Sequence, residues 1–270
     1  MKKHFFWMMA AILVCGAVMF TSCSKDDDDE KTTESPLTEK LLGKWMQAEN
    51  NGELMLTNKK SVTTFYSSTR ATVSTSRETR NDRKVWSDAE EYEVKIDGDH
   101  VTLTCKQSET TTLVNEYIIK EITENEMICE FRHLTIHDGE VPERPMRTAR
   151  FVKQPTGLDA KVLGLWECTG LSGIETYNDA NARLEFFADG TYKYWRKNDF
   201  NVWNAVTSRE FQDYFVDGTL LATRWKDEGD AELREWWEIE SISGDEMVWK
   251  ALRQNEDGTT STQRMTWKKI

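Results

Sequence analysis

The stretch His133-Leu-Thr-Ile-His137 brings together the residue types that could do chemistry. On a strand, residues i and i+4 point to one face, so the two imidazoles would sit together with Asp138 and Glu140 close behind. That is a ligand set a divalent metal could use. It is equally what two exposed histidines beside a turn look like, and no further ligand closes the set. No metal or other cofactor is therefore expected, with His133 and His137 as the only candidates. Asn255-Glu-Asp-Gly258 has the opening of a calcium loop but the wrong continuation, and reads as a turn. The chain has no Gly-x-Ser-x-Gly, no phosphate-cradling glycine loop, no His-Glu-x-x-His and no Cys-x-x-Cys. All histidines beyond the first few residues fall before position 138, so the second half cannot run imidazole-based acid–base chemistry. No catalytic residue is expected.

Tryptophan is the unusual feature, with 11 in the chain and most of them beyond residue 160. Large aromatics pack cores, line apolar pockets or form platforms for sugars. Alternation separates these uses. Trp166, Trp225, Trp237, Trp249 and Trp267 fall on the inward register. Trp195 shares a face with Lys193, Trp236 alternates with Trp237, and Trp203 lies in a connection. Trp195, Trp203 and Trp236 are thus the candidate ligand contacts.

The elements that hold these residues come in two copies. Leu37-Thr-Glu-Lys-Leu-Leu-Gly-Lys-Trp45 matches Leu158-Asp-Ala-Lys-Val-Leu-Gly-Leu-Trp166, and Tyr117–Met127 matches Trp237–Met247, at a near-constant shift. A repeat of that length is a duplicated domain. Residues 37–153 and 158–270 are the two copies, joined by Lys153-Gln-Pro-Thr-Gly157, too short a link for free movement. Each copy reads as all-β. Tyr92, Val94 and Ile96 alternate with polar residues, Asp97-Gly98-Asp99 turns the chain, and Val101, Leu103 and Cys105 alternate again, which predicts a hairpin. Only the opening of each copy has helical spacing, with Thr38 or Asp159 as candidate caps and Gly43 or Gly164 as stops. Short meandering strands must hide their edges, and closing the sheet does so. Two tandem antiparallel barrels of about eight strands each are expected, each with room for side chains or one small ligand.

A short helix, then Gly43-Lys-Trp45 or Gly164-Leu-Trp166 on the first strand, then a β-meander, resembles the lipocalin-like domains of bacterial lipoproteins. The second copy matches more fully, through Phe187-Ala-Asp-Gly-Thr-Tyr192. The resemblance implies that each tryptophan closes a barrel end against a basic residue near the last strand, for which Arg150 and Lys268 are the candidates.

The amino terminus supplies an address. Lys2 and Lys3 precede an apolar run from Phe5 to Phe20, the layout of a secretory signal. The run is short for a membrane span. Met19-Phe-Thr-Ser-Cys23 resembles a lipoprotein signal, which implies removal of residues 1–22 and lipidation of Cys23. Ser24, Lys25, Asp26, Asp27, Asp28 and Asp29 resemble an export signal to the outer face of the outer membrane. Residues 23–36 would then be an acidic tether, reaching roughly 20 Å as a flexible coil. The net charge of −12 argues against nucleic acid. Cys105 and Cys129 could pair, or serve as small buried hydrophobes. The expected role is non-catalytic: a membrane-anchored binder of a small apolar ligand or glycan. The alternative is an accessory protein of a surface complex, with filled barrels and a protein partner.

Overall fold

The computed structural model describes residues 36–75, 89–173, 181–206, 210–226 and 232–270. Cys23 and the acidic run Ser24–Asp29 lie outside the described residues. All described residues belong to one compact unit.

The first sheet follows a six-residue helix, α1 (Pro36–Leu41). Its strands are β1 (Gly43–Asn50), β2 (Glu53–Leu54), β3 (Ser61–Phe65), β4 (Arg70–Thr75), β5 (Glu90–Asp97), β6 (His100–Lys106), β7 (Thr111–Ile122), β8 (Glu126–His137) and β9 (Arg147–Lys153). Sequential neighbours pair antiparallel from β3 to β9, and β1 pairs with both β3 and β9. The sheet is therefore a closed eight-stranded barrel, with β2 a short addition to β1. Asp97 pairs with His100 around Gly98-Asp99, the hairpin expected from the alternation.

After α2 (Leu158–Val162) the plan repeats. The second sheet contains β10 (Gly164–Ser172), β11 (Ala182–Phe186), β12 (Tyr192–Lys197), β13 (Trp203–Ala205), β14 (Glu210–Asp217), β15 (Leu220–Lys226), β16 (Glu232–Ser243), β17 (Glu246–Gln254) and β18 (Thr260–Lys269). Its order is β13-β12-β11-β10-β18-β17-β16-β15-β14, a nine-stranded half-barrel with β13 and β14 at its ends. The gap between those ends is stitched rather than laddered. Thr191 bridges Asp213, Tyr214 N–H donates to Gly190 O at 2.8 Å, and Gln212 uses its carboxamide across the gap. That carboxamide accepts from Tyr194 N–H at 3.2 Å and donates to Val206 O at 3.4 Å. The all-β architecture of two curled antiparallel sheets is compatible with a lipocalin-like fold.

One end of each barrel is shut by the same device. Trp45 and Trp166 are fully buried, and each indole N–H donates to a carbonyl of the preceding helix, Leu41 O at 2.7 Å and Val162 O at 2.6 Å. The cations over them are Lys153, 4.4 Å from the Trp45 ring, and Lys269, 5.2 Å from the Trp166 ring. Arg150 and Lys268 do not take this part. The ladder puts Trp45 opposite Lys153 and Trp166 opposite Lys269, after a bulge in β1 and in β10 that shifts the register. Arg150 instead pairs with Glu49 and Glu126. Gly43 and Gly164 have φ of +103° and +108°, and a Cβ there would lie 3.1 and 3.0 Å from the lysine Cε atoms. Glycine is what lets the chain turn out of the helix beneath the lysine. Thr38 lies inside α1, and α2 has Gly157 as its N-cap without a side-chain bond, so neither Thr38 nor Asp159 caps its helix.

The two barrels share a bonded seam. Met46 and Val62 of the first pack with Leu220 and Phe215 of the second. The Lys60 ammonium meets Glu238 at 2.8 Å, and Thr57 hydroxyl donates to the same carboxylate at 3.1 Å while accepting from Leu252 N–H at 2.9 Å. Asp217 takes Lys44 on one oxygen and Ser74 hydroxyl on the other, the latter at 2.6 Å. In the joint, Gln154 Oε1 accepts from both the backbone and the hydroxyl of Thr219 at 3.0 and 2.8 Å. A Cβ on Gly218 would sit 2.8 Å from Gln154, so this approach also requires a glycine. The short link is thus locked as well as short.

Candidate functional site

The end of the first barrel opposite Trp45 is open and hollow. It holds a cavity of about 620 Å³, within the range typical of small-molecule sites. Its aromatic floor is Tyr117, Phe131 and Phe151, with ring centroids 5.0 to 5.8 Å apart. Above the floor the walls turn polar. Gln47, Ser61, Thr63, Ser74, Asn115 and Thr135 line them. Alternation explains this placement: Asn115 continues the inward face of Tyr117 on β7, and Thr63 continues that of Phe65 on β3. Towards the mouth the lining residues become ionisable, with Glu90 on one side and His133, His137, Arg144 and Arg147 on the other. Phe215 of the second barrel also lines the cavity, so the wall is built by both copies.

Most of these groups are held in place. The Glu90 carboxylate accepts from Gln107 at 2.5 Å and from Tyr92 hydroxyl at 3.1 Å. Burial, then the Glu90 charge, raises the Tyr92 phenol well above its ordinary pKa, so it stays a donor. Burial does the same to Tyr117. His133 Nδ1 bonds Asn115 Oδ1 at 2.8 Å, and His137 Nδ1 lies 3.2 Å from Thr111 Oγ1. Among the described residues no group of three or more His, Cys, Asp or Glu converges on a metal position. The loop after β8 is fixed by Arg144, which donates to His133 O at 2.6 Å and accepts on its own carbonyl from Arg132 at 3.2 Å.

At the matching depth the second copy carries larger aromatics. Where Phe65 pairs with Ala71 in the first barrel, Phe186 pairs with Tyr192 in the second. By the same register Val73 corresponds to Tyr194 and Val94 to Tyr214, while the duplicated sequence sets Cys129 against Trp249 and Phe151 against Trp267. Trp249 and Trp267 are almost wholly buried, 4.6 Å apart. Their indole N–H groups meet no acceptor among the described residues, at a cost of about 1–3 kcal/mol for each unsatisfied donor. Bulk, not polar matching, fills this interior.

The three candidate tryptophans are all half-buried and none lines the cavity, and Trp203, expected in a connection, opens strand β13. Trp195 and Trp203 share the outer face of the β12–β13 hairpin. The Trp203 ring is already covered by the Arg183 guanidinium at 3.9 Å. Trp236 lies apart on β16, two residues from Glu238 and on the same outer face that meets the first barrel. The Nε1 atoms of Trp195 and Trp236 are buried without a partner among the described residues, so neither offers its N–H to a ligand. Sequence reasoning missed the cavity because its signal is a deficit: alanine, valine and threonine where the sister copy carries tyrosine or leucine. Cys105, Cys129 and Cys168 are free thiols. Asn255–Gly258 is a turn, in which Asp257 Oδ1 accepts from Thr259 N–H and hydroxyl at 2.9 and 2.6 Å. Neither any family model nor any curated protein matches the chain.

Proposed function

We propose that this chain is a non-catalytic binding protein whose ligand, a small hydroxyl-rich molecule of the glycan type, enters the open first barrel. The observation that carries the reading is a cavity of about 620 Å³ with an aromatic floor and walls of hydroxyl and amide groups. Sugars present apolar ring faces and hydroxyl edges, and this lining offers a partner for each. A purely apolar ligand suits it poorly. It would cover the hydroxyl groups of Ser61, Thr135 and their neighbours without bonding them, at about 1–3 kcal/mol per group left unsatisfied. The filled second barrel then acts as a support that completes the wall with Phe215. The amino terminus favours delivery as an outer-membrane lipoprotein held through Cys23 and facing the cell exterior. In that reading Cys23→Ala moves the protein out of the membrane fraction; continued pelleting with membranes would refute the anchor.

The test of the site is a thermal-shift screen of the whole chain against neutral mono- and oligosaccharides, with fatty acids for comparison. A saccharide at 100 times its dissociation constant should add about 2.7 kcal/mol of stability. Val73→Tyr installs the side chain that the second barrel already carries at Tyr194, and should abolish the shift while the barrel stays folded. Saccharide shifts that survive this change would place the ligand elsewhere. Shifts from fatty acids alone would overturn the choice of ligand class.

A further inference from the structure

We propose that the ligand of this calyx carries a negative charge, an acidic saccharide with a carboxylate, sulfate or phosphate group, and that Arg147 with Arg144 receives that charge at the mouth. The inference rests on the calyx-binding reading and narrows its ligand class.

The chain has 47 acidic residues against 35 lysines and arginines, so a carboxylate is rarely far from an arginine. Arg70, Arg132, Arg150, Arg183, Arg224, Arg234, Arg253 and Arg264 each make an ion pair. Among the described residues, Arg144 and Arg147 have no carboxylate within ion-pair distance, and both line the cavity. Arg147 opens β9 on the inward register, two residues before buried Ala149 and opposite Phe131 of the cavity floor. Its exposed guanidinium stands where a ligand seated on that floor would emerge. Arg144 is set beside it through its bond to His133 O, with other donors still open.

Among the described lining residues Glu90 is the one acid, and it does not cancel this. Glu90 is on β5, across the barrel from β8 and β9, and is engaged by Gln107 and Tyr92. Lys59 and Lys60 also line the cavity, the Lys60 ammonium being paired with Glu238 of the second barrel. The result is a polar cavity with a cationic lip on one side. A planar guanidinium without a partner suits a carboxylate or phosphate, which it binds through two parallel bonds.

The experiment is calorimetric titration of the whole chain with digalacturonate and with its dimethyl ester, which keeps the sugar and removes the charge. A sulfated uronic-acid disaccharide serves as a second anionic probe. At least one acid should bind roughly tenfold or more tighter than the ester, since hydrogen bonds to charged groups contribute more than neutral ones. Arg147→Ala should bring the acid down to the level of the ester, Arg147→Glu should weaken it further, and added salt should narrow the gap. Arg147 is exposed, so these variants should keep the parent's melting temperature. Equal binding of acid and ester would overturn the inference and leave the calyx reading intact. Acid binding lost in Val73→Tyr but unmoved in Arg147→Ala and Arg144→Ala would overturn the role of the arginines. Failure of both acids to bind would overturn the charged ligand class, whatever the neutral panel shows.

Discussion

Glu238→Ala should destabilise the folded chain by about 3–5 kcal/mol, the usual cost of removing one partner from a buried ion pair. Glu238 and Lys60 are 7% and 8% exposed, so the ammonium left behind would have little access to water. The same carboxylate also receives Thr57 hydroxyl, which itself holds Leu252 N–H, so one deletion disturbs a three-member chain between the barrels. Urea unfolding followed by two signals would measure the loss. Tryptophan fluorescence reports mostly the second barrel, where eight of the 11 tryptophans lie, whereas far-ultraviolet circular dichroism reports both. In the parent the two transitions should coincide, as in a cooperative unit. In Glu238→Ala they should separate, because the lost contact joins the barrels rather than stabilising either one. Lys60→Met with Glu238→Leu together should return to within about 1–2 kcal/mol of the parent, since apolar replacement of a buried pair is often neutral. A single-variant loss under about 1 kcal/mol, with transitions still superimposed, would refute the view that this pair fastens the two barrels.

Gly43→Ala and Gly164→Ala should each lower stability by about 1–3 kcal/mol, because both need a positive φ and both crowd the lysine over the tryptophan; equilibrium unfolding that leaves either variant unchanged would count against the barrel-end device. Burial pushes the Cys129 thiol up to about 12, so in the native protein at pH 8 it should resist a thiol reagent that labels it at once in urea. The same raised value makes the folded state hold a proton that the unfolded chain gives up near 9.0, the ordinary value of a thiol. This contribution to stability is therefore complete below pH 9 and is lost as the pH climbs towards 12, which denaturation midpoints across that window would follow.

The duplication, the all-β class and the buried tryptophans were legible because each rests on a period or a repeat. Trp45 and Trp166 stand at corresponding points of two copies, and Trp237, Trp249 and Trp267 fall on the inward alternation. The basic partner was harder. Arg150 and Lys268 lie within a few residues of Lys153 and Lys269, but the ladder register depends on a bulge after Gln47 and after Cys168 that no residue type announces. The cavity was hardest. Conspicuous tryptophans drew attention to the copy with the larger inward aromatics, while the space lies over Val73 and Thr63, residues with nothing individually distinctive. The ionic seam was hidden for a related reason: Glu238 and Asp217 look like two acids among many until the second barrel places them against Lys60, Lys44 and Ser74.

The strand order has a consequence for how the chain can be made. In the second sheet the last strand, β18, is not at an edge but in the middle, between β10 and β17, and in the first sheet β9 closes onto β1 in the same way. Neither interior can be sealed until its final strand has left the ribosome and found a partner synthesised about a hundred residues earlier. A chain ending before Thr260 would carry Trp166 and Trp249 with two unsatisfied backbone edges beside them, a sticky species by any measure. Such long-range closure slows folding. The removal of even a few residues of β18 should therefore be far more damaging than the loss of an edge strand such as β13, because it opens two ladders at once.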